Sequence, residues 1–265
     1  MPVRTPDETL RAGFDAGARK ASLSAGGSYG RFAVLSVLAG AYIALGATLS
    51  LIVGFGFPEA TASNPSLQRL LSGLVFPIGL MLVVVLGAEL FTGNNALLMP
   101  PLIRRELSFA AVAKNWTLVW LGNFAGSLAV AYFMVYLCGL TSPEPYHSAI
   151  CRIAEAKVSA SPWVIFLKGI GANWCVCLAV WLALSGRRLG EKLIACQIPV
   201  MAFVILGYEH CVANMFFIPL GIMEGAEVGI LEMFGANLLP ATVGNIIGGA
   251  VFVGCAHYYL HRKSL

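Results

Sequence analysis

The side chains in this chain that could do chemistry are few, and they cluster in two short segments. Leu86–Asn95 reads LGAELFTGNN and Leu206–Met215 reads LGYEHCVANM. The second segment holds His210, whose unperturbed pKa near neutrality lets it donate a hydrogen bond or carry a proton at modest cost. The first holds Thr92, whose hydroxyl donates to an anion or accepts from an imidazole. Each segment also holds a carboxylate, Glu89 or Glu209, and an asparagine, Asn94 or Asn214. Both interrupt long apolar runs, where an ionisable group is costly unless it lines a cavity or has a partner. Two readings of His210 stay open at this point: a pore-lining proton carrier, or a structural histidine bonded to the backbone of a helix break. Thr92 likewise reads as an anion donor or as the cap of the helix that follows. A carboxylate in an anion path would repel the anion. Glu89 and Glu209 therefore read as scaffold, accepting hydrogen bonds from freed backbone N–H groups or neighbouring side chains. Glu209 is also placed in sequence to orient His210. Asn94 and Asn214 read as holding the breaks, with Asn214 also a candidate to face a pore.

These segments need apolar elements to carry them, and the composition supplies them. Of 265 residues, 58% are hydrophobic and 11% charged, with a mean hydropathy of +0.80. A soluble domain carries about 25% charged residues, so lipid must cover much of this surface. Membrane helices need about 20 mostly apolar residues. Approximate spans fall at 32–53, 67–99, 112–140, 163–185, 193–224 and 237–260. The second and fifth are too long for one plain helix, and the two polar segments break them.

The first 30 residues are polar and lack the apolar stretch of a signal peptide. Thr5-Pro6-Asp7-Glu8 has the form of a capping box with proline at the first helical position. Leu10, Phe14 and Ala18 follow at intervals of four, which predicts an amphipathic helix on the membrane surface. The organisation expected is thus a surface helix and tail over 1–30 and one pore domain over 31–265. Six spans put both termini on one side, together with 13 of the 17 basic residues. The exceptions are Arg69, Arg152, Lys157 and Lys168. The positive-inside rule then places both termini in the cytoplasm.

The two polar segments repeat each other. Leu86, Gly87, Glu89 and Asn94 align with Leu206, Gly207, Glu209 and Asn214 at an offset of 120, and Gly122-Asn123 with Gly244-Asn245 at 122. Halves of about 31–140 and 163–260 therefore look alike. With three spans each, they must lie in opposite orientations. Matched broken helices in inverted halves mark a substrate path, because non-helical backbone at membrane depth must line a cavity or be buried in protein. Each break also frees the positive N-terminal end of a half-helix, which favours an anion.

Other classes find little support. The seven cysteines follow no framework, and Cys175 and Cys177 would point to nearly opposite faces of a helix. We expect no disulfide, no metal and no cofactor. No nucleophile–base set or phosphate loop suggests an enzyme, and nothing suggests nucleic acid. A water or glycerol pore would carry Asn-Pro-Ala at the half-helices, where this chain has Gly93-Asn94-Asn95 and Ala213-Asn214-Met215.

The segments Leu86–Asn95, Lys168–Trp181 (KGIGANWCVCLAVW) and Gly207–Met215 resemble the formate/nitrite transporter family, and the resemblance runs from about residue 10 to 260. It implies an all-α membrane protein of six transmembrane helices in an inverted 3+3 repeat, with broken second and fifth helices and an aquaporin-like protomer. It further implies a homopentamer in a bacterial-type inner membrane, one pore per protomer, passing formate, nitrite or hydrosulfide. Carried over residue by residue, Leu90, Phe91 and Phe203 match a cytoplasmic slit, and Phe76 and Leu80 a second gate. Thr92 and His210 match the polar pair between the two constrictions. Asn173 and Asn214 match polar residues near that pair, and Lys157 a loop lysine in the outer vestibule.

Overall fold

The computed structural model describes residues 3–26 and 28–265, and among these every regular element is helical. We number the helices α1 (Pro6–Ala25), α2 (Tyr29–Phe55), α3 (Pro65–Leu86), α4 (Phe91–Leu97), α5 (Phe109–Tyr136), α6 (Tyr146–Ser159), α7 (Pro162–Ser185), α8 (Leu189–Ile205), α9 (Cys211–Met223) and α10 (Ile230–His261). Five of them, α2, α3, α5, α7 and α10, are long and apolar enough to cross a membrane. Helix α8 and the shorter apolar helix α9 follow one another across residues 206–210.

Helix α1 starts as its sequence dictates. Thr5 Oγ1 accepts from the Glu8 amide at 3.2 Å, and the Glu8 carboxylate accepts from the Thr5 amide at 2.8 Å. That backbone hydrogen bond holds the Glu8 carboxyl below its ordinary pKa. The face of α1 that carries Leu10, Gly13, Gly17 and Ala21 is buried, and it is buried against protein. A side chain at Gly13 would strike the Trp181 ring, and one at Gly17 the Leu97 carbonyl. Phe14 is half-buried under the Arg104 guanidinium, 5.6 Å from its ring centroid. This buried face, which shares Leu10 with the expected Leu10–Phe14–Ala18 stripe, sets α1 beneath α4, α5 and α7.

The most extensive helix pairs are α2 with α5 and α7 with α10. Each depends on a glycine. A Cβ on Gly126 would collide with the Val37 carbonyl, and one on Gly248 with the Ile170 carbonyl. Small residues let membrane helices approach this closely. Two further glycines end helices. Gly87, after α3, has φ +73°, and Gly207, after α8, has φ +68°. This left-handed conformation costs glycine little and stops a helix cleanly. The chain then runs non-helically through Ala88–Leu90 and through Tyr208–His210 before α4 and α9 begin. These two non-helical stretches sit within the core, with Leu90, Glu89, Glu209 and His210 all buried.

Candidate functional site

The two stretches meet at one polar contact. His210 Nε2 lies 3.0 Å from Thr92 Oγ1. His210 Nδ1 accepts the amide hydrogen of Ala213 at 3.2 Å, so the imidazole itself caps α9. A nitrogen that accepts carries no proton. The neutral tautomer in this frame therefore holds its proton on Nε2 and donates it to Thr92. The Thr92 hydroxyl, in turn, is left with a hydrogen to give. The structural reading of His210 is met by one ring nitrogen, which caps α9, while the other faces its polar partner Thr92. Thr92 does not cap α4, whose first residue is Phe91.

The amides at the starts of the two half-helices are held from a neighbouring helix. Asn123 on α5 accepts from the Phe91 amide at 2.9 Å and donates to the carbonyls of Ser36 and Glu89. Asn245 on α10 accepts from the Cys211 amide at 2.9 Å and donates to the carbonyls of Gly169 and Glu209. Each asparagine thus closes two backbone groups that a helix break would leave open, as buried backbone requires, and ties them to a carbonyl of α2 or α7. The free positive helix ends expected from the sequence are in this way partly occupied by the protein.

The carboxylates are paired with lysines. Lys20 Nζ on α1 lies 2.9 Å from Glu89, and Lys157 Nζ on α6 lies 2.9 Å from Glu209. Glu89 also accepts from Asn94, and Asn94 donates to Asn115. Glu209 accepts from Asn214, and Asn214 donates to Asn237. Asn115 and Asn237 then donate to the backbone carbonyls of Lys20 and Lys157. The two assemblies correspond group for group, save that Glu209 also accepts from Asn237 at 3.4 Å. Two expectations change here. Glu209 bonds Lys157, Asn214 and Asn237 rather than orienting His210, because Lys157 offers it a full charge. Lys157 lies in the last turn of α6 and not in a loop, and its charge is engaged rather than free.

Each assembly borders a cavity. The larger, about 540 Å³, is lined by α1 residues together with Leu80, Leu90, Glu89 and Asn94. The smaller, about 230 Å³, is lined by Phe76, Phe203, Lys157, Glu209, His210 and Asn214. In both, the asparagine oxygen (Oδ1 of Asn94 or of Asn214) is buried with no protein donor. The apolar residues divide between the cavities differently from the family-based expectation. Phe203 packs edge-on against Phe76, with centroids 5.6 Å apart, and stacks at 5.8 Å on His210. Leu80 and Leu90 share the other cavity. Phe76 and Leu80 lie four residues apart on α3, one helical turn, so they fall on opposite sides of the barrier. Phe91 sits edge-on to Trp116 at 6.5 Å and borders neither cavity. Asn173 is fully buried. Its amide binds the carbonyls of Thr92 and Asn245 and the Asn95 side chain. It therefore supports the Thr92 turn rather than facing a cavity.

Lys20, Asn115, Asn123, Asn237 and Asn245 are the site residues that the sequence reading did not assign. Asn115 and Asn237 lie 122 residues apart, the same offset as Gly122-Asn123 and Gly244-Asn245, which is the signal that would have found them.

A helical membrane protein whose two inner turns meet at a histidine–threonine contact, with an apolar barrier and a cavity on each side, has the construction of a membrane transport protein. Residues 7–259 match the formate/nitrite transporter family. The chain is 40% identical over 249 residues to a probable formate transporter of Methanothermobacter thermautotrophicus, covering 88% of this chain and 90% of that one. It is 38% identical to the nitrite transporter NirC of Escherichia coli K12, covering 93% and 89%. A solved pentameric formate channel with formate bound superimposes with a TM-score of 0.76 at 30% identity, covering 88% of this chain and 97% of that chain. The chain belongs to the formate/nitrite transporter family, a family of membrane transporters and channels.

Proposed function

We propose that the chain passes small monovalent anions of weak acids, formate first among them, through a pore at the His210–Thr92 contact. The observation that carries this reading is that contact itself: a donor pair buried between the Leu80–Leu90 and Phe76–Phe203 barriers. An anion stripped of water between apolar side chains is expensive. The hydroxyl hydrogen that Thr92 retains offsets part of that cost. The acceptor-only Asn94 and Asn214 oxygens on either side would repel a carboxylate but accept from a carboxylic acid, which favours crossing in the neutral form. To act as an acid toward substrate, His210 must first take a second proton on Nδ1 and release the Ala213 amide. In this reading the charged imidazole is a transient state, and coupling to pH runs through it.

The same proposal places six spans in two inverted halves of three, with the breaks at 87–90 and 207–210. Residues 1–30 form an appended N-terminal segment ahead of a single pore domain over 31–265. Both termini face the cytoplasm of a bacterial-type inner membrane, and five copies assemble. The matched lysine–carboxylate–asparagine assemblies support the repeat, and the pentameric relative supports the assembly. Lys157 and Lys20 stand at the outer and inner mouths, each balancing a scaffold carboxylate so that it does not repel the anion.

Nitrite is the second reading, because the nitrite transporter relative is almost as similar to this chain as the formate one. Hydrosulfide, smaller and of the same charge, is a third reading. The test is flux of formate, nitrite and hydrosulfide into proteoliposomes under an imposed pH gradient. Formate entering fastest, and faster when the inward side is alkaline, is expected. Rates equal to those of empty liposomes for all three would end the proposal.

A further inference from the structure

The two cavities differ in charge more than the pore needs. The larger one is lined by Arg4, Arg19, Lys20, Arg31 and Lys192 against Asp15 and Glu89, so that three positive charges are in excess. Lys20 is neutralised by Glu89, and Arg4 donates to the carbonyls of Leu184 and Gly186. That leaves Arg19, Arg31 and Lys192, from α1, α2 and α8, with no side-chain hydrogen bond or ion pair among the described residues, and Asp15 as the one other carboxylate in the lining. The smaller cavity has Arg69 and Lys157 against Glu209, one excess charge. The larger cavity also has the volume of a small-molecule pocket, roughly 300–1,000 Å³, where the smaller falls below that range. An anion of three heavy atoms in transit needs neither the room nor three cations from three separate helices.

We infer that this chamber is a binding site for a soluble multivalent oxyanion, such as inorganic phosphate or a phosphomonoester, held by Arg19, Arg31 and Lys192. The planar, multi-donor guanidinium groups suit phosphate oxygens, and the lysine adds a point charge. A bound dianion cannot follow formate through the barrier. Near neutral pH a phosphomonoester carries about −1.5 to −2 charges, and it must gain more protons than formate does before it reaches zero charge, so the apolar barrier excludes it. It therefore occupies the vestibule and competes with substrate from that side alone. In the proposed orientation this is the cytoplasmic side, and efflux becomes subject to the cell's phosphate-bearing pool. The flux part of this inference rests on the pore reading, whereas the binding part does not.

The experiment has two arms. In the first, phosphate is titrated calorimetrically onto the detergent-purified full chain at constant ionic strength, with and without anionic lipid. Saturable binding is expected. Exposed or half-buried ion pairs are each worth up to about a factor of five, so R19Q/R31Q/K192Q should weaken it by about tenfold, and by no more than about a hundredfold. In the second, formate flux is measured in inside-out and right-side-out vesicles with phosphate added outside. Inhibition of the inside-out vesicles, relieved in the triple variant, supports the site. Equal inhibition by chloride at matched ionic strength would reduce it to charge screening and overturn the inference. Equal inhibition in both vesicle types would overturn it as well, as would binding that requires anionic lipid. Phosphate binding in a chain that moves no formate would overturn the pore reading and leave this site standing.

Discussion

The α1 mouth and the α6 mouth are built from one set of parts attached to the chain in two ways. In both, a lysine meets a buried carboxylate at 2.9 Å, an asparagine joins that carboxylate to a second asparagine, and the second returns to the lysine's own carbonyl. At the α6 mouth the lysine lies between the two halves, one turn from α7. At the α1 mouth it arrives on the N-terminal helix, which must dock before the pair can form. The linings differ too. Leucines and surplus cations border the first cavity, whereas phenylalanines and His210 border the second. Matched scaffolding with unlike linings separates two tasks under the proposed pore: the matched residues would hold the two non-helical turns, and the unmatched residues would set what each cavity does.

The sharpest way to break this comparison is to remove one carboxylate. Glu89→Ala or Glu209→Ala strands a partly buried lysine and an asparagine amide. Breaking a buried pair costs about 3–5 kcal/mol, and the low end applies because both lysines keep some water. Thermal unfolding of the purified protein should show comparable losses for the two variants. A loss confined to Glu209 would mean that α1 docks without help from its ion pair. Pairing each with Lys20→Met or Lys157→Met in a double-mutant cycle isolates the coupling, and the double variants should recover much of the loss.

Next come the trans caps. Asn123→Ala and Asn245→Ala each remove three hydrogen bonds to buried backbone. One unsatisfied buried group costs about 1–3 kcal/mol, and entering water would lessen the sum. We expect about 2–3 kcal/mol for each, read by denaturant unfolding, with the two values equal within error. A large inequality would show that the matched geometry hides unlike stabilities.

His210→Asn acts on the unlike part. The amide retains a polar group beside Thr92 but does not titrate near neutrality. Formate flux in proteoliposomes, followed from about pH 5 to 8 around the ordinary imidazole pKa, should lose its pH response while the protein stays folded. An unchanged profile would leave His210 as the cap of α9 and nothing more.

Much of this frame was readable in the sequence. The glycines and carboxylates of the two breaks stand at a fixed offset of 120, and polar residues inside apolar runs are conspicuous. Lys20 was not readable as the partner of Glu89. It matches Lys157 at an offset of 137, because the connectors differ in length, and an exposed-looking polar segment surrounds it. Helix α6 lay hidden in a segment that reads as a polar loop, although Ile150, Ala154 and Val158 recur every four residues and are all buried. The apolar stripe of α1 predicted its helix but not its neighbour, since lipid and protein select the same pattern. Which side of the barrier each aromatic joins depends on helix rotation, which motif spacing does not specify. That is why Phe203 was assigned to the mouth opposite the one it lines.

The smallest expected effect isolates the backbone of the breaks from everything attached to them. Gly87 and Gly207 hold φ +73° and +68°, and a Cβ at either would meet nothing within 4 Å. Alanine at these positions therefore changes no contact. It adds only the left-handed penalty of about 1–2 kcal/mol, less about 0.4–1 kcal/mol from the stiffer unfolded chain. The net destabilisation should be about 1 kcal/mol at each site, measured as a shift in denaturant midpoint at unchanged slope. Asparagine tolerates this region better than alanine, so Gly87→Asn and Gly207→Asn should lose less. If both alanine variants lose the same amount and both asparagine variants lose less, the two turns are alike in energy as well as shape. A cost of several kcal/mol at one turn alone would mean that turn is strained by its lining, and the scaffold could no longer be treated as separate from what the mouths do.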